Sequence, residues 1–291
     1  MLTRGRAIAL LGSAPLLASC GDRNAIVVGS KNFTESFVIA EIYAQALERA
    51  GLHVRRRFNL GSTEIALAAM RRGDIDLYPE YTGTALIDVL HLPPMSDPRA
   101  IYATVSREFA SRYDLVWLRP SPMNDSQGLA TTRAIARRLG IRTLSDLAPK
   151  AAHLRLATIQ EFLSRPDGLP GLQRVYGGFA FREIRTYDIA LKYEALLTGK
   201  ADIASAFTTD GAIAVDDLVV PIDDRHLWPP YNVAPVARRA TVKAAPQVAA
   251  ALDAISPAIT DAAARRMNAA VESGHQDPAD VAAAFLKSIT R

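Results

Sequence analysis

The chain has 291 residues, 49% of them hydrophobic and 22% charged, which suits one large globular domain or two lobes with separate cores. The formal charge is +4, but residues 1–19 hold Arg4 and Arg6 and no acid; without them 32 basic side chains face 30 acidic ones, a net of +2. So even a balance argues against nucleic acid as a partner, which needs a concentrated basic face. A single cysteine, Cys20, excludes any internal disulfide.

The first twenty residues read as a secretory leader. Arg4 and Arg6 form its basic end, and Ala7 to Ala18 is an apolar stretch too short to span a bilayer comfortably. Leu17-Ala18-Ser19-Cys20 followed by Gly21 resembles a bacterial lipobox, in which the cysteine is acylated and becomes the mature N-terminus. Each acyl methylene buried in the membrane contributes about 0.8 kcal/mol, so more than one chain anchors firmly. The expectation is a periplasmic body tethered to a membrane through Cys20.

Beyond a short polar tether, Ala25–Gly29 is a β-branched run that predicts a buried strand. Thr34 to Ala50 has helical periodicity, with Phe37, Ala40, Ala44 and Leu47 on one face and Gly51 as its stop. A strand is predicted over Val54–Leu60, a helix from Ser62 or Thr63 to Arg72 closed by Gly73, and a strand over Asp74–Tyr78. The alternation predicts an α/β architecture with a parallel sheet and binding loops at strand C-terminal ends. The middle repeats this grammar. Strands are expected at 115–118, 129–131, 154–157, 202–207 and 218–222, and helices at 133–139, 144–147 and 189–197. From Ala244 onward the alanine-rich stretch predicts helices.

Catalytic signatures are missing. The histidines His53, His91, His153, His226 and His275 are scattered without metal-ligand spacing, and there is no phosphate-binding loop, dinucleotide fingerprint or nucleophile elbow. The acid pairs Asp216-Asp217 and Asp223-Asp224 read as solvated turns. No metal, no cofactor and no catalytic residue is expected. What stands out is polar and aromatic residues at the ends of predicted strands, in loops where α/β proteins hold ligands: Gly29 to Glu35, Tyr78 to Thr84, Arg165 to Gly168, Phe207 to Gly211 and Trp228 to Tyr231.

These segments, GSKNFTES (29–36), GDIDLYPEYTGTAL (73–86), EFLSRPDGLPGL (161–172), TTDGAIAVDDLVV (208–220) and PPYNVAPVAR (229–238), resemble the osmoprotectant family of ABC-transporter substrate-binding proteins. They follow one another in order across nearly the whole mature chain. The resemblance implies a two-lobed type II periplasmic binding protein fold with a hinged interlobe cleft. Lobe I would comprise 24–119 plus 223–291 and lobe II 120–222, after a leader over 1–20. It also implies capture of a quaternary-ammonium osmolyte such as glycine betaine, choline or proline betaine, and delivery by a monomer to an ABC permease in the inner membrane.

A trimethylammonium group has no N–H donor, so aromatic faces select it, each contributing about 0.5–2 kcal/mol once water is excluded. Relatives hold it in a box of four tyrosines. By motif, the box positions here are Tyr81, Gln127, Phe207 and Tyr231, and Asp125 falls where relatives place an acid near the ammonium. Lys31, Thr84 and Arg165 match positions that take the ligand carboxylate. Gln127 in place of a ring leaves at most three, and one lost contact of about 1 kcal/mol weakens binding roughly five- to tenfold. The alternative is a periplasmic enzyme on the same fold, for example a dehydratase, using Lys31, Asp125 and Arg165 as acid and base; no paired acid and base at an obvious spacing favours it. A regulator's sensing domain is disfavoured by a leader where a helix-turn-helix would stand.

Overall fold

The computed structural model describes residues 25–289 apart from 190, so the leader and the proposed lipidation at Cys20 lie outside the described residues. Two five-stranded sheets organise the chain. The first contains β1 (Ile26–Gly29), β2 (Val54–Arg57), β3 (Leu77–Tyr81), β4 (Leu115–Trp117) and β10 (Val233–Arg238), in the order β2-β1-β3-β10-β4. The second contains β5 (Gln127–Thr132), β6 (Arg155–Thr158), β7 (Glu183–Thr186), β8 (Ile203–Phe207) and β9 (Leu218–Val219), in the order β7-β6-β8-β5-β9. The two sheets share one plan: β1 runs parallel to β2 and β3, as β6 does to β7 and β8, and each sheet takes one antiparallel strand, β10 or β5.

Those antiparallel strands begin just after the chain has crossed between the sheets, at 118–126 and again at 220–232. The crossing segments pair with each other: Asn124 bridges Asn232, Asp125 N donates to Tyr231 O at 3.2 Å, and Tyr231 N donates to Asn124 Oδ1 at 2.7 Å. A pair of antiparallel crossings between two sheets is the geometry of a hinge.

The helix Thr34–Arg49 is buried almost all round because it packs beside the first sheet and against the helices Gln247–Ile255, Asp261–Glu272 and Pro278–Ile289. The helix Thr63–Arg72 stops at Gly73, whose φ of 77° is the left-handed conformation that glycine adopts without a Cβ penalty. Among the described residues no helix is long and apolar enough to cross a membrane.

Three local expectations are corrected. The strand expected over 74–78 lies at Leu77–Tyr81, because Asp76 is a loop acceptor: its carboxylate takes Val27 N at 2.9 Å and the Thr241 hydroxyl at 2.8 Å. The long helix Pro98–Tyr113, started by Asp97 accepting from Arg99 N, was not predicted. Neither was β10, whose Pro235 reads as a strand breaker. Pro235 stands directly opposite Pro79 of β3. Its carbonyl turns to the other side and accepts from Leu118 N at 2.9 Å, so neither missing N–H is needed between β3 and β10.

Candidate functional site

Between the sheets lies a cleft of about 380 Å³, and all eight residues predicted from sequence line it: Lys31, Tyr81, Thr84, Asp125, Gln127, Arg165, Phe207 and Tyr231. They come from the ends of strands, as expected for a crevice at the mouths of α/β sheets. Lys31 follows β1, and Tyr81 ends β3 with Thr84 in the first turn of the helical segment after it. Phe207 ends β8 directly opposite Gln127, which opens β5. Asp125 and Tyr231 sit on the two crossings, and Arg165 follows the short helix Gln160–Ser164.

The aromatic wall is larger than expected. Phe33 and Phe162 also line the cleft, and Phe33 stands 6.1 Å from Tyr81 between ring centroids, tilted by 37°. Phe33 thus adds a π face to the cleft beside the three box positions that carry rings, while Gln127 adds none. Phe33 lies inside the quoted motif at 29–36, but nothing in its spacing marked its side chain as turned toward Tyr81. Gln127 has a different task, donating through Nε2 to Asp167 at 2.7 Å. The Tyr231 hydroxyl donates to the same carboxylate, and Trp228 Nε1 donates to the Asp167 carbonyl at 2.7 Å. Tyr231 is only 2% exposed and belongs to the main core, so truncating it would destabilise the fold by about 3–5 kcal/mol as well as empty the site.

The cations expected to meet a ligand carboxylate already have partners. Lys31 Nζ is 2.7 Å from Glu80 Oε1 and 3.3 Å from Thr63 Oγ1, and lies over the Tyr81 ring at 4.7 Å. Glu80, fully buried, also accepts from the Tyr78 hydroxyl at 2.9 Å and from Tyr81 N at 2.7 Å. Arg165 grips Asp167 with two parallel bonds, Nε at 2.9 Å and Nη2 at 2.8 Å, the geometry of a strong charge-assisted pair. Its remaining arm, Nη1, reaches across to Asp88.

The acids dominate. Glu64, Asp88, Asp125 and Glu161 line the cleft against the two cations Lys31 and Arg165. Burial pushes the Asp125 carboxyl well up, and neighbouring Glu35 and Asp210 push it further. Burial raises Glu35 too, although it accepts from the Tyr81 hydroxyl at 2.7 Å and from Asn268 Nδ2 at 2.9 Å. Asp88 is raised to about 6 and Glu272 to about 7, each chiefly by burial. Behind Phe207, the fully buried Lys192 places its ammonium 4.8 Å from that ring and 3.1 Å from Asp210 Oδ2. Such an arrangement offers π faces and carboxylates to a cation. Among the described residues no cluster of histidine, cysteine and acids could hold a metal ion.

Glu35, Glu80, Asp167 and Asp210 all lie within or beside motifs singled out from sequence, yet their roles as internal partners were not read. Asp88 had one available signal, its place four residues after Thr84, which puts it one helical turn away. Lys192 had none.

The family profile OpuAC, described as the substrate-binding domain of an ABC-type glycine betaine transport system, matches residues 24–288. The glycine-betaine-binding protein of Pseudomonas aeruginosa is 35% identical over an alignment that covers 97% of this chain and 93% of that one. The ergothioneine transport permease/ergothioneine binding protein EgtU of Helicobacter pylori is 31% identical over 92% of this chain and 49% of its own, longer length. A crystal structure of a glycine betaine/carnitine/choline ABC transporter protein superposes with a TM-score of 0.78 at 28% identity, covering 90% of this chain and 98% of that one. These relatives are named as transport proteins and not as enzymes. With a profile match across nearly its whole length and the two-sheet hinged fold to accompany it, this chain belongs to the family of substrate-binding domains of ABC-type glycine betaine transport systems.

Proposed function

We propose that the protein is the extracytoplasmic binding subunit that captures a quaternary-ammonium solute and delivers it to an ABC permease in the inner membrane. The solute enters the cleft, the two lobes (24–119 plus 223–291, and 120–222) close over it, and the closed form docks on the permease. The observation that supports this reading most is the convergence of Tyr81, Phe207, Tyr231 and Phe33 on one cleft that carries more carboxylates than free cations. Aromatic faces and carboxylates solvate a methylated ammonium that cannot donate a hydrogen bond.

Calorimetric titration with glycine betaine, choline and proline betaine tests the reading. At least one should bind, and Phe207→Leu, at a half-buried position, should weaken it five- to tenfold for the loss of about 1 kcal/mol. Binding of a simple betaine is expected to be weak, because Gln127 is tied to Asp167 where a ring would stand. A dissociation constant well below about 1 μM for glycine betaine would overturn that part.

Anchoring by a lipid on Cys20 completes the proposal and rests on Leu17-Ala18-Ser19-Cys20 alone. Expressed in bacteria fed a labelled fatty acid, the unaltered chain should take up the label and Cys20→Ser should not; equal labelling of the two, or none in either, removes the anchor.

A further inference from the structure

Resting on the quaternary-ammonium reading above, the geometry points to Asp88 as the residue that sets the charge class of the ligand. By engaging Arg165 from across the cleft, we infer, it supplies from the protein the carboxylate that a betaine would bring. The cleft then favours a quaternary ammonium ion whose other end donates hydrogen bonds over a zwitterion that ends in a carboxylate.

The case is one of donors and acceptors. A ligand carboxylate needs a free N–H donor or an uncompensated cation. The two cations of the cleft are Lys31 and Arg165. Lys31 spends its charge on Glu80 at 2.7 Å and a further bond on Thr63. Arg165 commits one fork to Asp167 and its outer nitrogen to Asp88, which reaches it from the helical segment Ala85–Val89 that follows β3. Arg165 and Asp88 lie 77 residues apart and are both largely buried, with side chains 20% and 13% exposed.

What remains open toward the cavity is mostly acceptor surface, with the Asn32 amide, the Thr84 hydroxyl and the His91 ring as the neutral groups beside it. Asp125 receives only the Thr209 hydroxyl, at 2.6 Å, and Glu64 the Ser62 hydroxyl, at 2.5 Å, together with its own backbone N–H. The Glu161 carboxylate, at the exposed rim, has no partner among the described residues. A carboxylate-ended ligand would have to displace Asp88 from Arg165 or lie among like charges in a partly dehydrated site, and either costs affinity. A hydroxyl or amine at the same end finds acceptors waiting.

Choline and glycine betaine share the trimethylammonium group and differ at the far end, a hydroxyl against a carboxylate, so the pair reads the difference directly. On the unaltered protein, calorimetric titration should give choline an affinity roughly tenfold or more above that of glycine betaine. Asp88→Asn removes the internal carboxylate and frees the outer arm of Arg165. Choline should then weaken about tenfold and glycine betaine strengthen by as much, reversing the order. If glycine betaine binds the unaltered protein more tightly than choline, or if Asp88→Asn leaves the ratio of the two unchanged, the role of Asp88 is wrong while the quaternary-ammonium reading stands. If neither compound binds, that reading fails and this inference goes with it. Should Asp88→Asn not fold, the ratio on the unaltered protein still decides, and Asp88→Ser provides the second variant.

Discussion

Gly83→Val is expected to abolish measurable binding of any quaternary ammonium ion, a loss of a hundredfold or more, while the protein stays folded. Gly83 lies in the turn after β3 with ordinary backbone angles, so the requirement for glycine is steric and not conformational. A Cβ there would stand 2.5 Å from Tyr231 Cδ1 and 2.7 Å from Cε1, far inside van der Waals contact. The ring cannot yield in place. Its hydroxyl is held by Asp167, and its backbone N by Asn124 on the opposite crossing. Tyr231 must therefore leave the cleft wall, which removes a ring and disturbs the hinge on which closure depends. Overpacking of this kind costs about 1–3 kcal/mol, small enough to leave a folded protein. Titration calorimetry beside a thermal melt separates the two effects. Near-normal affinity in a folded Gly83→Val protein would show that Tyr231 is not pinned against this glycine.

The second large effect concerns stability. Asp210→Ala should destabilise the protein by about 3–5 kcal/mol, because it strands a buried charge. Asp210 accepts from Lys192 Nζ at 3.1 Å, from the Tyr193 hydroxyl, and from Phe207 N at 3.0 Å. Lys192 has no exposed surface, so water cannot replace the lost carboxylate. One effect opposes this: removing Asp210 relieves repulsion on Glu35, Asp125 and Glu272. For all three, however, burial is the larger cause of the raised pKa, so relief offsets only part of the loss. At roughly 2–4 °C per kcal/mol for a chain of this size, the thermal midpoint should fall by about 10 °C. Lys192→Met added to Asp210→Ala should recover much of it, since the stranded charge is then gone. A shift of under about 2 °C for Asp210→Ala would mean that Lys192 finds other solvation.

The two sites are linked through Phe207. Its cleft face is offered to the ligand, while the ammonium of Lys192 lies 4.8 Å from its centroid and Asp210 holds its backbone N. Asp210→Ala should therefore loosen one wall of the cleft as well as the second sheet, which is why its effect on binding is read at a temperature well below its midpoint.

How far the sequence was legible varies with the range of the signal. The helices Arg133–Leu139 and Leu144–Leu147 emerged at their predicted bounds, because their caps are local: Thr132 accepts from Ile135 N, and Thr143 and Asp146 form a reciprocal capping box. β1 and β6 followed from short apolar runs to within a residue or so. β7 was missed, since Glu183-Ile-Arg-Thr186 is an edge strand with mostly exposed side chains and carries no buried pattern. β10 was missed because proline counts against a strand unless its partner across the ladder is known, and that partner, Pro79, lies more than 150 residues earlier.

From the sequence alone came the α/β class, the strand–helix alternation that opens the chain, and a set of eight residues that meet in one cleft. Such features are written in local periodicity, turn chemistry and motifs whose order along the chain is itself informative. Only the tertiary structure decided which charges in that cleft are already neutralised. Lys31 meets Glu80 across 49 residues and Arg165 meets Asp88 across 77, and no local pattern records such a pairing. The free energy of a charge depends on what the fold places within a few ångströms of it and on how much water is left, and both are settled only when distant segments close together.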